Sequence, residues 1–285
     1  MTMPSRIAIV TDSTADLTAE QAAHYGITVV PLVVRFGNEV FQDSVDLSAT
    51  EFMIRMEQSK SLPTTSQPPP GAFEEVFRSL SADHDEIICI TVSSRLSGTW
   101  QSATLAAEAV RATVPVTVLD SLAVSVALGT QAITAASMSA AEEPVEDIVA
   151  TIAAESDRYH TVFFVDGLEH LRRGGRIGKA AQLVGSVLQL RPLLRVEEGQ
   201  IVPLERTRTR SKAIAALEEF ATEAGAVDLA SVIYTTMPED AAALANRIAA
   251  ATSVPSVPLV QVGPVISAHV GPGMLGISLR EAPGG

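Results

Sequence analysis

The sequence predicts a two-domain α/β protein: a parallel-sheet α/β domain over residues 1–158, then a mixed-sheet α/β (α+β) domain over residues 159–285. Three observations lead there. The chain has 285 residues, enough for two domains of about 100–200 residues each. Through the first half, short apolar runs alternate with helical patterns, as parallel strands joined by crossover helices do. Beyond residue 160 a hairpin signal appears among helices and strands, which implies mixed strand directions.

Arg6–Val10 is a short apolar run that ends at Asp12-Ser13-Thr14, and Thr18-Ala19-Glu20-Gln21 offers a capping box that opens a helix. Ile27–Phe36 is β-branched and extended, with Gly37-Asn38 as its turn. Ser48-Ala49-Thr50-Glu51 is a second capping box, opening a helix to about Gln58. Leu62–Pro70 is studded with proline and is expected to be irregular. Gly71–Leu80 reads as helix, Glu86–Val92 as buried strand, Gly98–Ala112 as an Ala-rich helix, Val114–Leu119 as strand and Ser121–Ala140 as helix. A helix opened by Glu143-Pro144 leads to a boundary near Asp157–His160. Beyond it Thr161–Val165 is a strand, and Arg191–Val196 with Gln200–Leu204 forms a hairpin around Glu198-Gly199. Ser211–Glu223 and Glu239–Ala251 are helices flanking the strand Ala230–Thr235, and Val257–Val262 and Leu275–Arg280 are late strands.

Hydrophobic residues make up 47% and aromatics only 4%, so the core is built from Ala, Val, Ile and Leu. With 20 basic against 33 acidic residues the formal charge is −13, which argues against a nucleic-acid binder and against a protein lying on an anionic membrane. Half of the basic residues fall between Arg172 and Lys212, and such an island in an acidic chain suggests an anion site or a docking face. Cys89, the single cysteine, sits in the apolar run Ile87–Ile90. It is expected to be buried and leaves no intrachain disulfide, in keeping with a reducing cytoplasm. Ile7–Val10 reaches Asp12 at once, so no secretory leader is expected. Leu122–Ala141 is interrupted by hydroxyl and amide residues and reads as a buried helix, not a membrane span.

Several motifs suggest chemistry. Asp12-Ser13-Thr14 follows the first strand, where ligands bind in open parallel sheets. Thr64-Thr65-Ser66-Gln67-Pro68 is rich in hydroxyls. Ser93-Ser94-Arg95-Leu96-Ser97-Gly98-Thr99 joins a buried strand to a helix whose N-terminal amides favour an anion. Ser97 is placed to cap that helix, and Gly98 lets a ligand approach the backbone. Leu171–Lys179 superficially resembles a phosphate loop but has Arg173 where glycine is needed and Ala180 where a hydroxyl should hold magnesium. Arg206-Thr207-Arg208-Thr209-Arg210 alternates as a strand would, which sets three guanidiniums on one side. His269 lies in the glycine-rich run Gly263–Gly276, read as a loop. Its literal Gly-x-Gly-x-x-Gly is discounted because Pro272 interrupts it. The remaining histidines show no metal-ligand spacing, and no metal or cofactor is expected. Each motif also has an ordinary reading: a turn cap at Asp12, a simple helix cap at Ser97, a backbone-bonded imidazole at His269.

Taken together, Thr11–Leu17, Pro63–Pro68, Ser93–Thr99, Leu168–Gly178, Arg206–Lys212 and Gly263–Gly273 resemble, in order along nearly the whole chain, the DegV family of bacterial fatty-acid-binding proteins. The resemblance implies a two-domain fold that encloses one long-chain fatty acid, such as palmitate or oleate. It also implies a partner, a separate fatty acid kinase that makes the acyl phosphate for phospholipid synthesis. By motif, Thr65 and Ser97 would hydrogen-bond the carboxylate. Ser66, Ser94, Gly98, Arg176, Arg208 and His269 would form the supporting polar network, and Arg173 and Arg206 would face the kinase. The chain departs from the family pattern at Trp100, which bears on the shape of the site near the head group. Burying a sixteen-carbon chain yields on the order of 12 kcal/mol gross, but its carboxylate needs donors. Helices such as Ser121–Ala140 and Lys179–Leu190 are suited to line an apolar tunnel. Two other readings stay open: a serine hydrolase or phosphoryl-transfer enzyme using Ser97, His269 and Asp12, and an interaction module built on the basic island. Against the hydrolase, the Gly-x-Ser-x-Gly elbow is missing.

Overall fold

The computed structural model describes residues 6–59, 61–183, 190–252 and 254–283. The chain forms two compact units, Met1–Val33 with Thr65–Ser156, and Val34–Thr64 with Asp157–Gly285. The second crossing lies near the expected boundary, but residues 34–64 group with the second unit and not with the first. The extended run from Ile27 to Phe36 hides the first crossing: Pro31-Leu32 splits it into two strands, and the chain changes unit within the second.

In the first unit β1 (Ile7–Asp12), α1 (Ala19–Tyr25) and β2 (Ile27–Val30) come first. The expected capping box opens α1: Thr18 Oγ1 accepts from Gln21 N, and Thr18 N donates back to Gln21 Oε1. The chain leaves through β3 (Val33–Phe36), β4 (Glu39–Gln42) and α2 (Ala49–Gln58), and returns through β5 (Thr64–Ser66) into α3 (Pro70–Leu80). The expectation of an irregular Leu62–Pro70 fails at β5. This is a three-residue edge strand, where flanking prolines cost few ladder hydrogen bonds. Then follow β6 (Glu86–Thr91), α4 (Thr99–Val110), β7 (Val116–Asp120), α5 (Val126–Ala140) and α6 (Val145–Glu155).

The strands β1, β2, β6 and β7 pair in parallel, in the order β2-β1-β6-β7. Alternation decides the faces: Ala8, Val10, Ile87 and Cys89 pack with Phe73 and Phe77 of α3 and Ala103, Ala106 and Val110 of α4. The opposite face is covered by α5, whose Ser139 hydroxyl donates to the Ile7 carbonyl at 2.8 Å. A sheet covered on both sides explains why its strands read as unbroken apolar runs.

The second unit continues with β8 (Tyr159–Phe164), α7 (Glu169–Arg173), β9 (Arg191–Glu197), β10 (Gln200–Thr207), α8 (Arg210–Glu223), β11 (Val227–Tyr234), α9 (Pro238–Thr252), β12 (Leu259–Gln261), α10 (Pro264–Val270) and β13 (Leu275–Glu281). Its mixed sheet has the order β10-β9-β8-β13-β11-β12. All pairs are antiparallel except β11 with β12, which α9 connects. The hairpin β9–β10 turns at Glu198-Gly199, both at positive φ. Phe164, Leu193, Leu217, Leu244 and Ile277 form the centre of its core. The expected helix Lys179–Leu190 begins as a 3-10 turn over Gly178–Leu183, and residues 184–189 lie outside the described residues. No helix among the described residues is long and apolar enough to cross a membrane.

Candidate ligand-binding site

In the first unit the carboxyl ends of β1, β6 and β7 bring their following loops to one edge of the sheet, the side on which open α/β sheets bind ligands. Asp12, the last residue of β1, is fully buried. Its Oδ1 accepts from Thr14 N at 3.0 Å and Thr14 Oγ1 at 2.6 Å, and its Oδ2 accepts from Val92 N at 2.7 Å. Burial pushes the Asp12 carboxyl up, while the hydrogen bonds from Thr14 and Val92 pull it down. Asp120, the last residue of β7, accepts from Ser94 N at 3.0 Å and Leu122 N at 3.1 Å, both on Oδ1.

The loop between β6 and α4 is thereby tied down residue by residue. Ser93 N donates to Ala123 O, and Leu96 N and Ser97 N both donate to Ser93 O. Ser97 Oγ lies 2.8 Å from Thr99 Oγ1 and accepts from Thr99 N at 3.3 Å. The helix cap is Gly98, with no side-chain cap of its own, and not the expected Ser97, which sits one position before it. Gly98 is approached closely, but by the chain itself: a Cβ there would lie 2.8 Å from Gln67 Cδ. Gln67, from the Thr64–Pro68 motif, thus lays its amide on Gly98. Thr65, Ser66 and Ser97 are half-buried, whereas Ser94 is exposed.

In the second unit His269 lies on α10 and not in a loop, because Pro264 starts a helix at its first position and Gly271 ends it. Glycines elsewhere in the run had concealed this seven-residue helix. The rings of His269 and His170 interlock with glycines reciprocally. His269, on α10, rests on Gly174 at the end of α7, where a Cβ would lie 2.9 Å from its Cε1. His170, on α7, rests on Gly271 at the end of α10, where a Cβ would lie 2.8 Å from its Cγ. Arg176 Nη1 donates to Gly174 O at 2.7 Å. Burial, then the Arg176 charge and then His170 push the His269 pKa down to about 4, so its imidazole is neutral near pH 7 and offers one donor and one acceptor.

The basic island is less bare than its composition suggests. Arg172 and Arg173 pair with Glu169, Arg191 with Asp166 at 2.7 Å, and Arg195 with Glu197. The three guanidiniums of Arg206, Arg208 and Arg210 do not share a strand face. β10 ends at Thr207, Thr209 caps α8, and Arg210 begins that helix, bound to Asp240 at 2.5 Å and to Gly273 O at 2.7 Å. Arg206 and Arg208 are exposed. No group of side chains with metal-ligand geometry occurs among the described residues.

A family model described as "Uncharacterised protein, DegV family" matches residues 6–282. The chain belongs to the DegV family. A DegV domain-containing protein of Streptomyces coelicolor is 41% identical over 280 residues, covering 96% of this chain and 98% of that one. Among solved structures, a DegV family protein from Thermus thermophilus, described by its fatty acid binding, is similar at a TM-score of 0.90 and 32% identity, covering 97% of this chain and 100% of that one. DegV of Bacillus subtilis, described as a fatty acid binding protein, matches at a TM-score of 0.88 and 34% identity, over 98% of this chain and 100% of that one.

Within this DegV chain the structure brings Gly98, next to Ser97, together with Gln67 in the first unit, and His269 together with Arg176 in the second. Sequence reasoning missed Gln67, Asp120 and His170 as members of these clusters. Gln67 lies inside the hydroxyl-rich Thr64–Pro68 motif, but nothing in a linear pattern reveals that its amide rests on Gly98. Asp120 ends a strand as Asp12 does, and that shared position was the available signal.

Proposed function

We propose that this protein is a cytoplasmic, non-enzymatic carrier that binds one long-chain fatty acid, such as palmitate or oleate, and presents its carboxylate to a separate fatty acid kinase. The reading rests above all on the end-to-end similarity to two solved DegV structures described as fatty acid binding. The Ser97 hydroxyl beside the start of α4 supports it, because a carboxylate cannot be buried without donors, and on this reading Thr65 supplies a second hydroxyl. On this reading Ser66, Ser94 and Gly98 are the supporting polar residues of the first unit, and Arg176, Arg208 and His269 those of the second. Arg173 and Arg206 are the kinase-facing candidates.

The hydrolase reading has less support. Ser97 Oγ is bonded to Thr99 Oγ1, and both Asp12 oxygens hold Thr14 and Val92, an arrangement that fixes backbone rather than orienting an imidazole. Replacing Thr65 or Ser97 by alanine is expected to weaken fatty acid binding by about 1–3 kcal/mol each, the cost of unpairing a buried charged acceptor. Unchanged retention of bound acid in the Thr65→Ala, Ser97→Ala double variant, measured by extraction, contradicts the head-group assignment.

A further inference from the structure

We infer that Asp12 and Asp120 are positioning residues that clamp the Ser97 loop from the two strands flanking β6; the inference rests on the fatty-acid reading above. In the strand order β2-β1-β6-β7 the neighbours of β6 are β1 and β7, and their last residues are these two aspartates. Three successive amides leaving β6 are each held by an acceptor from a neighbouring strand or the loop after it. Val92 N donates to Asp12 Oδ2, Ser93 N to Ala123 O and Ser94 N to Asp120 Oδ1. Ser93 O then receives the amides of Leu96 and Ser97, and Ser93 Oγ receives that of Arg95. Ser97 is therefore bonded to Ser93, the residue whose two chain neighbours, Val92 and Ser94, the carboxylates hold. Asp12 is wholly buried, and among the described residues its partners are backbone and hydroxyl donors rather than a cation. Burying such a charge is costly, and what it secures here is loop geometry. A donor set held in place before the ligand arrives binds more tightly, because less ordering remains to be done.

The two aspartates differ in a way that makes the clamp testable. Asp12 uses both oxygens, Oδ1 for Thr14 and Oδ2 for Val92. Asp120 uses Oδ1 alone, for both Ser94 and Leu122. An asparagine at 120 keeps that oxygen, whereas an asparagine at 12 turns an NH₂ group toward one of its donors.

The experiment measures Kd for palmitate and for methyl palmitate, with thermal melts, on the wild-type protein and on Asp12→Asn, Asp120→Ala and Asp120→Asn. Asp120→Ala and Asp12→Asn should weaken palmitate about tenfold and leave the uncharged ester nearly unchanged, while Asp120→Asn should bind both as the wild type does. Asp120→Ala binding palmitate normally, losing both ligands equally, or behaving like Asp120→Asn overturns the inference. If Asp12→Asn does not fold, the two Asp120 variants decide the matter. A wild type that refuses palmitate sinks the fatty-acid reading alone. The clamp is then judged by the backbone amide resonances of Ser93–Ser97, which Asp120→Ala must shift and Asp120→Asn must not.

Discussion

Acidification should destabilise the second unit through His269. Its pKa is pushed from 6.5 down to about 4 by burial, by the Arg176 charge and by His170. The unfolded chain therefore takes up a proton near pH 6.5 that the folded protein refuses until about pH 4. Between these values the unfolded state binds more protons, so stability is complete above pH 6.5 and falls as pH falls. The loss from this residue amounts to about 2 kcal/mol at pH 5 and about 3 kcal/mol below pH 4. Other groups titrate in the same range. Glu169, lowered by hydrogen bonds from Arg172 and Arg173, acts in the same direction. Asp12, raised by burial, acts in the opposite one. The informative quantity is therefore the difference between the wild type and His269→Gln. Urea unfolding at pH 7.5 and pH 5 measures it, and the wild type should lose about 2 kcal/mol more than the variant over that interval. Equal losses in the two proteins would refute the assignment of a buried, neutral His269.

Other expectations follow from close approaches and exposed charges. Gly174→Ala keeps an unstrained backbone but must displace the His269 ring, so it should cost about 1–3 kcal/mol and raise the His269 pKa as seen by NMR titration. Gly129→Ala, inside α5, would ordinarily gain helix propensity; its Cβ would instead lie 2.5 Å from the Ala15 carbonyl oxygen, so the melting temperature should fall. Reversing charge at both Arg173 and Arg206 should lower acyl phosphate formation with a fatty acid kinase while leaving retained fatty acid unchanged; loss of both would place these residues in the binding site.

The sequence made the local architecture readable wherever one signal acted alone. The capping boxes at Thr18 and Ser48, the unbroken apolar run at Ile87–Ile90 and the turn at Glu198-Gly199 each set an element without help from distant residues. Failures came where packing overrode the local pattern. The alternating arginines from Arg206 to Arg210 looked like one strand face, yet Thr209 caps a helix and Arg210 turns to Asp240. α10 was hidden because Gly263 and Gly271, which bound it, suggested a continuous loop. The hydroxyl motifs were visible as motifs. The clamp behind them was not, because Asp12, Val92, Ser94 and Asp120 meet only once the parallel sheet has set β6 between β1 and β7.

Whether this chain carries a fatty acid is settled by extracting the purified, denatured protein and analysing the extract by mass spectrometry. Roughly one long-chain fatty acid per chain is expected, released only on denaturation. A protein that emerges empty and takes up neither palmitate nor oleate when they are supplied would contradict it.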